Sequence, residues 1–295
     1  IQQPIVKLNH NYKGFDIDDL DLEKDSLKLP DNSVDIVISL GLIEALKNPI
    51  NLIKESYRVL KKGGYIYYIT PNWKIDFNNF FNNFYHKTPF TPESIVETAL
   101  RHNIKVLSWT YNDPVVWHEF VIDTAKLAKE AGIYNLYKSA CFITDEALDE
   151  LLPHIDIFSV SIKAIDEVYY RKLTTGWLQP VLDATKKIYQ AGKHLEVSNL
   201  MITDISDNEQ SARNMASWVL ENLGPEVPLH FVRFHPEYRM RDTVRTPIDR
   251  LEKAQAIAKE MGMQHVYLGN VANSEATSSF CSSCGSKLVH RFGLA

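Results

Sequence analysis

The polar residues that could do chemistry in this chain stand where short apolar runs break off. Asn112 and Asp113, Lys163, Asn199, Arg233 with His235, and Asn270 each follow or end a β-like stretch. Amides, cations and a carboxylate on one rim suit a polar, zwitterionic ligand bearing carboxylate, amine and hydroxyl groups. Lys163 and Arg233 are costly to bury without a partner, so both are expected to face a cavity or a carboxylate. Arg233 and His235 are two residues apart, which puts them on one side of a strand. His230 falls on the opposite side and is expected to be packed or hydrogen-bonded rather than catalytic. Any one of these residues is equally well explained by loops being polar where strands end. Their recurrence at successive strand ends is what favours a site.

The cysteines form a second group. Cys281-x-x-Cys284-Gly285 has the spacing of a metal half-site, with a glycine after the second thiol as in zinc knuckles. It supplies two of four ligands, and His290 is a candidate third. Cys141, directly after a strand, is expected to be a small buried side chain, and His118 is expected on a helix surface. Three cysteines are too few for a disulfide framework and suit a reducing compartment.

Composition narrows the class. With 295 residues, 45% hydrophobic and 23% charged side chains and a net charge of -5, the chain describes an ordinary, mildly acidic globular protein. That balance argues against a nucleic-acid surface. No apolar run approaches the roughly 20 residues that span a bilayer, and Ile1-Gln2-Gln3-Pro4 lacks the parts of a signal peptide. The expectation is a cytoplasmic protein without nucleic-acid or membrane partners. A start at Ile1 reads as a fragment of a longer chain.

The elements that must position these residues follow from periodicity. Val34 to Leu40 reads as a buried parallel strand, Ile50 to Leu60 as a helix closed by Lys61-Lys62-Gly63-Gly64, and Tyr65 to Thr70 as a strand. Residues 71 to 90, rich in Asn and Phe, show no clean period. Thr91-Pro92-Glu93 opens a helix, and Ile104 to Thr110 returns as a strand. Strands at 134–140, 155–163, 195–202, 229–234 and 265–268 then alternate with helices, four of which stop on a glycine. One helix is expected to be capped by Asp207, with Gln210 in capping-box position, and another to open at Thr246-Pro247. Such alternation builds a parallel sheet from right-handed βαβ units, enough for most of a barrel whose functional groups gather at the C-terminal strand ends.

From Thr91 to about Arg291 the chain resembles the radical-SAM proteins of the AmmeMemoRadiSam group, relatives of the pyruvate formate-lyase activating enzymes. The stretches that carry the likeness are Thr110 to Pro114, Ser161 to Ala164 with Tyr170 to Leu173, Glu196 to Leu200, Leu229 to Tyr238, Tyr267 to Val271 and the terminal Cys-x-x-Cys-Gly. The resemblance implies a pocket for S-adenosylmethionine in which Asn112 and Asp113 meet its amino group and Lys163, Asn199, Arg233 and His235 line the same space. It also implies a [4Fe-4S] cluster held by a Cys-x3-Cys-x2-Cys loop, and leaves the substrate open between a protein and a small molecule. Asp113 stands where the family usually has Glu, and Ser161 where it usually has Asp. No Cys-x3-Cys-x2-Cys occurs in the chain, and residues 71 to 90, where it is expected, hold no cysteine.

Residues 12 to about 90 resemble instead the second half of a class I S-adenosylmethionine-dependent methyltransferase, through Leu29 to Asp35, Ile43 to Leu46, Tyr57 to Gly64 and Pro89 to Ser94. The glycine-rich cofactor loop of that family is absent, and Asp16 or Asp18 would be its ribose-binding acid. The expected fold class is therefore α/β: a partial (βα)6 TIM-like radical-SAM barrel over 91–271, a partial Rossmann-like segment over 1–90, and a tail over 272–295 with the cysteine pair as metal ligands. In this arrangement the strand at 65–70 fills the first barrel position beside the strand at 104–110. The corresponding function is a radical-SAM-type enzyme; the alternatives are a methyltransferase and an inactive chimeric S-adenosylmethionine-binding protein.

Overall fold

The structure is a computed structural model that describes residues 20–40, 42–70, 90–110, 112–271, 275–281 and 283–291. It divides into two compact units, the first comprising residues 1–111 and 117–135, the second 112–116 and 136–295.

The first unit begins with β1 (Val34–Leu40), α1 (Ile50–Val59) and β2 (Leu60–Ile69). The helix ends one residue earlier than its apolar period suggests, and the glycines lie inside β2 rather than capping α1. Gly63 takes φ +85, and a Cβ on Gly64 would sit 2.8 Å from the Asp35 carbonyl. Only glycine allows the irregularity that lets β2 run parallel to β1, with Ile38 opposite Tyr67. Leu20, Leu22, Leu27, Leu46, Leu52 and Val59 form the core beneath this pair. Next come α2 (Pro92–Arg101), β3 (Val106–Trp109) and α3 (His118–Glu130). Thr91 and Ser94 exchange side-chain-to-backbone hydrogen bonds in a capping box that fixes the start of α2. Val96 and Ala99 of α2 pack with Ala128 and Ile133. His118 is half-buried rather than on an open surface.

Among the described residues β2 is paired with β1 alone. The expectation that it takes the first barrel position beside β3 is overturned. β1 already occupies an edge of β2, and β3 lies instead beside the start of β4 (Tyr134–Ser139), where the Tyr134 N–H donates to the Lys105 carbonyl.

The second unit carries the rest of β4, then α4 (Asp145–Leu151), β5 (Ile157–Ile162), α5 (Glu167–Thr174), α6 (Leu178–Gln190) and β6 (His194–Met201). It continues through α7 (Glu209–Asn222), β7 (Leu229–Arg233), α8 (Ile248–Glu260) and β8 (Val266–Gly269). It ends in the hairpin β9 (Ser279–Phe280) and β10 (Lys287–Val289). Strands β4 to β8 are parallel and adjacent in chain order, the α/β architecture expected.

The two faces of this sheet differ. Phe158, Val160, Ile162, Val197, Leu229, Phe231 and Leu268 are at most 1% exposed, with α6 against β5 and β6 and α8 against β7 and β8. Each such side chain contributes about 1.5–3 kcal/mol. On the other face the alternating positions are polar: Ser159 and Ser161 on β5, Glu196 and Ser198 on β6, His230 on β7.

One helix start differs from expectation. Asn208, not Asp207, caps α7 by accepting the Ser211 N–H at 2.9 Å. The Asp207 carboxylate is 2% exposed and paired with Arg250 at 2.6 Å, a long-range contact that outcompetes a local cap. The Thr246 hydroxyl donates to the Met201 carbonyl at 2.6 Å and accepts the Phe234 N–H at 3.2 Å. It ties the approach to α8 across the ends of β6 and β7, and the helix opens after Thr246-Pro247 as expected, with Pro247 at the cap position. Among the described residues no helix is long and apolar enough to cross a membrane.

Candidate functional site

The C-terminal ends of β4 and β5 are built around Asp113. Its Oδ1 accepts the Ser139 hydroxyl at 2.6 Å and its Oδ2 the Ala140 N–H at 2.8 Å. The Ser139 oxygen accepts in turn the Cys141 N–H at 2.8 Å. These bonds hold the chain at the end of β4, where Cys141 bends through φ +51. Asn112, at φ +41, is exposed beside it. Lys163 directly follows β5 and has no ion pair or hydrogen bond from its ammonium among the described residues. Burial pulls its pKa below the usual lysine value, opposed by the charge of Asp113.

The other candidates take different places. Asn199 is 2% exposed and donates from Nδ2 to the Ile162 carbonyl at 3.0 Å. Its alternation with Leu195 and Val197 sets it on the helix-covered face, so it fixes the last carbonyl of β5, one residue before Lys163, rather than facing the open rim. Arg233 donates from Nε to the Thr246 carbonyl at 2.7 Å. Burial, with nearby Arg245, lowers its pKa. Asn270 donates to the Arg233 carbonyl at 3.0 Å. His235 is half-exposed, its Nε2 3.7 Å from Glu237 and its Nδ1 buried without a hydrogen-bond partner. Asp113 and Lys163 thus share one locality, while Arg233, His235 and Asn270 form another at the end of β7.

Sequence reasoning missed the polar sheet face that adjoins this rim. Lys138 donates to Ser159 at 3.3 Å, Ser161 and Ser198 are 3.0 Å apart, and Glu196 binds His230 at 2.9 Å and His194 at 3.4 Å. His230 also packs against Tyr267, the ring centroids 5.1 Å apart. The hydrogen bond from His230 is the chief cause that holds the Glu196 carboxyl down to about 2. The signal was present as period-two alternation of Ser159, Ser161 and Glu196, Ser198 within strands read only as apolar.

The cysteines do not converge on this rim. Cys141 is 1% exposed, and burial pushes its thiol up to about 12. Cys281 and Cys284 lie in the β9–β10 hairpin. Among the described residues no group of three or more metal-binding side chains occurs. The segment 71–89, where the cluster loop is expected, and Asp16 and Asp18 lie outside the described residues.

The sequence pattern of the Radical SAM superfamily matches residues 53–219, more than half of the chain. The chain belongs to the radical SAM superfamily. A Methyltransferase domain pattern matches residues 4–68. An uncharacterized protein of Methanocaldococcus jannaschii, MJ0808, is 39% identical over 202 residues, covering 68% of this chain and 60% of that protein. The pyruvate formate-lyase-activating enzyme of Clostridium pasteurianum is 22% identical, covering 48% of this chain and 64% of the enzyme. The chain therefore spans less than two thirds of these curated relatives. Among solved structures, SuiB of Streptococcus suis bound to S-adenosylmethionine aligns with a TM-score of 0.52 at 9% identity, over 67% of this chain and 48% of SuiB. A radical SAM methyltransferase from Sphaerobacter thermophilus aligns with a TM-score of 0.50 at 13% identity, over 68% and 63%. At such identities the likeness is one of fold.

The family implies S-adenosylmethionine and a [4Fe-4S] cluster. The cysteines of this radical SAM chain do not fit the cluster: one thiol is buried and held protonated, and the other two form a single pair in the terminal hairpin. A half-buried Lys163 beside a carboxylate, with no direct ion pair among the described residues, does fit an amino-acid end such as that of S-adenosylmethionine.

Proposed function

We propose that this chain binds S-adenosylmethionine across the ends of β4 and β5, as a radical-SAM-type protein whose cluster ligands are not supplied by its own cysteines. The observation that carries the reading is Lys163, a half-buried ammonium that feels the charge of Asp113 but makes no direct ion pair or hydrogen bond among the described residues. A carboxylate from the ligand would complete it. Asp113 would present its carboxylate to the ligand amine while its bonds to Ser139 and Ala140 keep it fixed. Asn112 borders the same site, and Asn199 positions Lys163 through Ile162. Arg233 and His235, at the end of β7, would line its far side.

S-adenosylmethionine binding by calorimetry, alongside anaerobic iron and sulfide analysis, tests the reading. Binding without iron is the expected outcome and makes this chain a cofactor-binding protein that needs an outside cluster for radical chemistry. Iron and sulfide retained at about four per chain would contradict the cysteine argument, and failure to bind S-adenosylmethionine would end the proposal. The match at residues 4–68 favours a second reading, methyl transfer. Transfer from methyl-labelled S-adenosylmethionine distinguishes it.

A further inference from the structure

Cys281 and Cys284 stand in the loop between β9 and β10. That loop is closed by its own backbone: the Gly285 N–H donates to the Cys281 carbonyl at 2.9 Å and the Cys281 N–H to the Ser286 carbonyl at 2.8 Å. Gly285 takes φ +70, a bend that a side chain would strain. The Cys284 sulfur lies 3.1 Å from the Ser286 hydroxyl. Two sulfurs are thus held in one preformed turn, which is half of the tetrahedral shell that a thiophilic divalent cation takes.

Among the described residues nothing brings the other half to them. The hairpin pairs Lys287 with Phe280 and Val289 with Ser279. His290 therefore lies beyond the base of the ladder while the thiols lie at its tip, and the charge of His290 is felt by Glu275. Cys141 is buried at the end of β4. A separate observation bears on what meets the flank of the hairpin. Phe280, Leu288 and Val289 are 37%, 67% and 44% exposed, an apolar set on a two-stranded hairpin whose edges are otherwise unpaired among the described residues.

We propose that the terminal hairpins of two copies of this chain meet about a twofold axis and hold one tetrahedral zinc or ferrous ion between them through Cys281 and Cys284 of each copy. A twofold contact uses the same patch twice, so one pair of thiols becomes four and the exposed apolar side chains face each other. Each thiol gives its proton to solvent as its sulfur binds the metal, and no electrons change hands.

The test is a cobalt(II) titration of the reduced full chain, followed by absorbance and by light-scattering mass. Thiolate-to-cobalt charge transfer should saturate at one metal per two chains, with a doubling of mass that a chelator reverses. C281S and C284S should each remove the absorbance and the doubling while circular dichroism stays unchanged. Saturation at one cobalt per monomeric chain, or no uptake by fully reduced protein, would overturn the proposal, as would a dimer that survives both the chelator and the serine variants. None of these outcomes depends on S-adenosylmethionine binding.

Discussion

Replacing Lys163 with methionine keeps the length of the side chain and removes its charge. If the ammonium receives the carboxylate of S-adenosylmethionine, the substitution deletes a hydrogen bond between charged groups, about 1.5–3 kcal/mol. At about 1.4 kcal/mol per tenfold, affinity should fall roughly 10- to 150-fold, read by calorimetry. The ligand-free protein should respond in the opposite direction. Lys163 is half-buried with no ion pair among the described residues, and burial disfavours its charge. The variant should therefore resist urea better, by about 1 kcal/mol at neutral pH. The sign follows from linkage: a lysine whose pKa is lowered on folding destabilises the protein while both states are protonated. That cost fades as pH rises through the folded pKa toward the ordinary 10.5. The stability gap between K163M and the parent should close in alkali. Equal affinity for S-adenosylmethionine in the two proteins would refute the reasoning, and so would a K163M protein that is less stable than the parent.

Two further perturbations probe the frame around the site. Glu196, held down to about 2 against an ordinary value of 4.5 chiefly by His230, stabilises the fold above about pH 4.5 and loses that contribution as pH falls toward 2. Full burial would make the difference worth roughly 3 kcal/mol, and the 36% exposure of the side chain screens it to about 1 kcal/mol. Acid titration of stability should be flatter in E196Q, and identical slopes would exclude the pair as its cause. Arg250→Ala leaves the buried Asp207 carboxylate with the Asp204 N–H but without its cation, and should cost about 2 kcal/mol. An unchanged urea midpoint would show that the pair contributes nothing.

Much of the frame was legible because it is local. Thr91 and Pro92 announce α2 through a hydroxyl and a ring that act within one turn. Gly192 and Gly262 close α6 and α8 because their positive φ is a property of the residue itself. The same reasoning failed where a distant partner competed. Asp207 has the chemistry of a cap but sits 2.6 Å from Arg250, and Asn208 caps α7 in its place.

The residues and their order determined that strands and helices alternate and that Asp113, Lys163, Arg233 and His235 fall at strand ends, since two-residue and 3.6-residue periods are written in the chain. Tertiary structure alone decided which strands are neighbours: β2 pairs with β1 because glycines let it approach Asp35, and β3 lies beside β4. It also decided that Asn199 turns to the helix-covered face, that Glu196 meets His230, and that His290 lies away from the thiols. Each of these depends on register between segments far apart in sequence, and a one-residue slip in register would send every side chain of a strand to the other face.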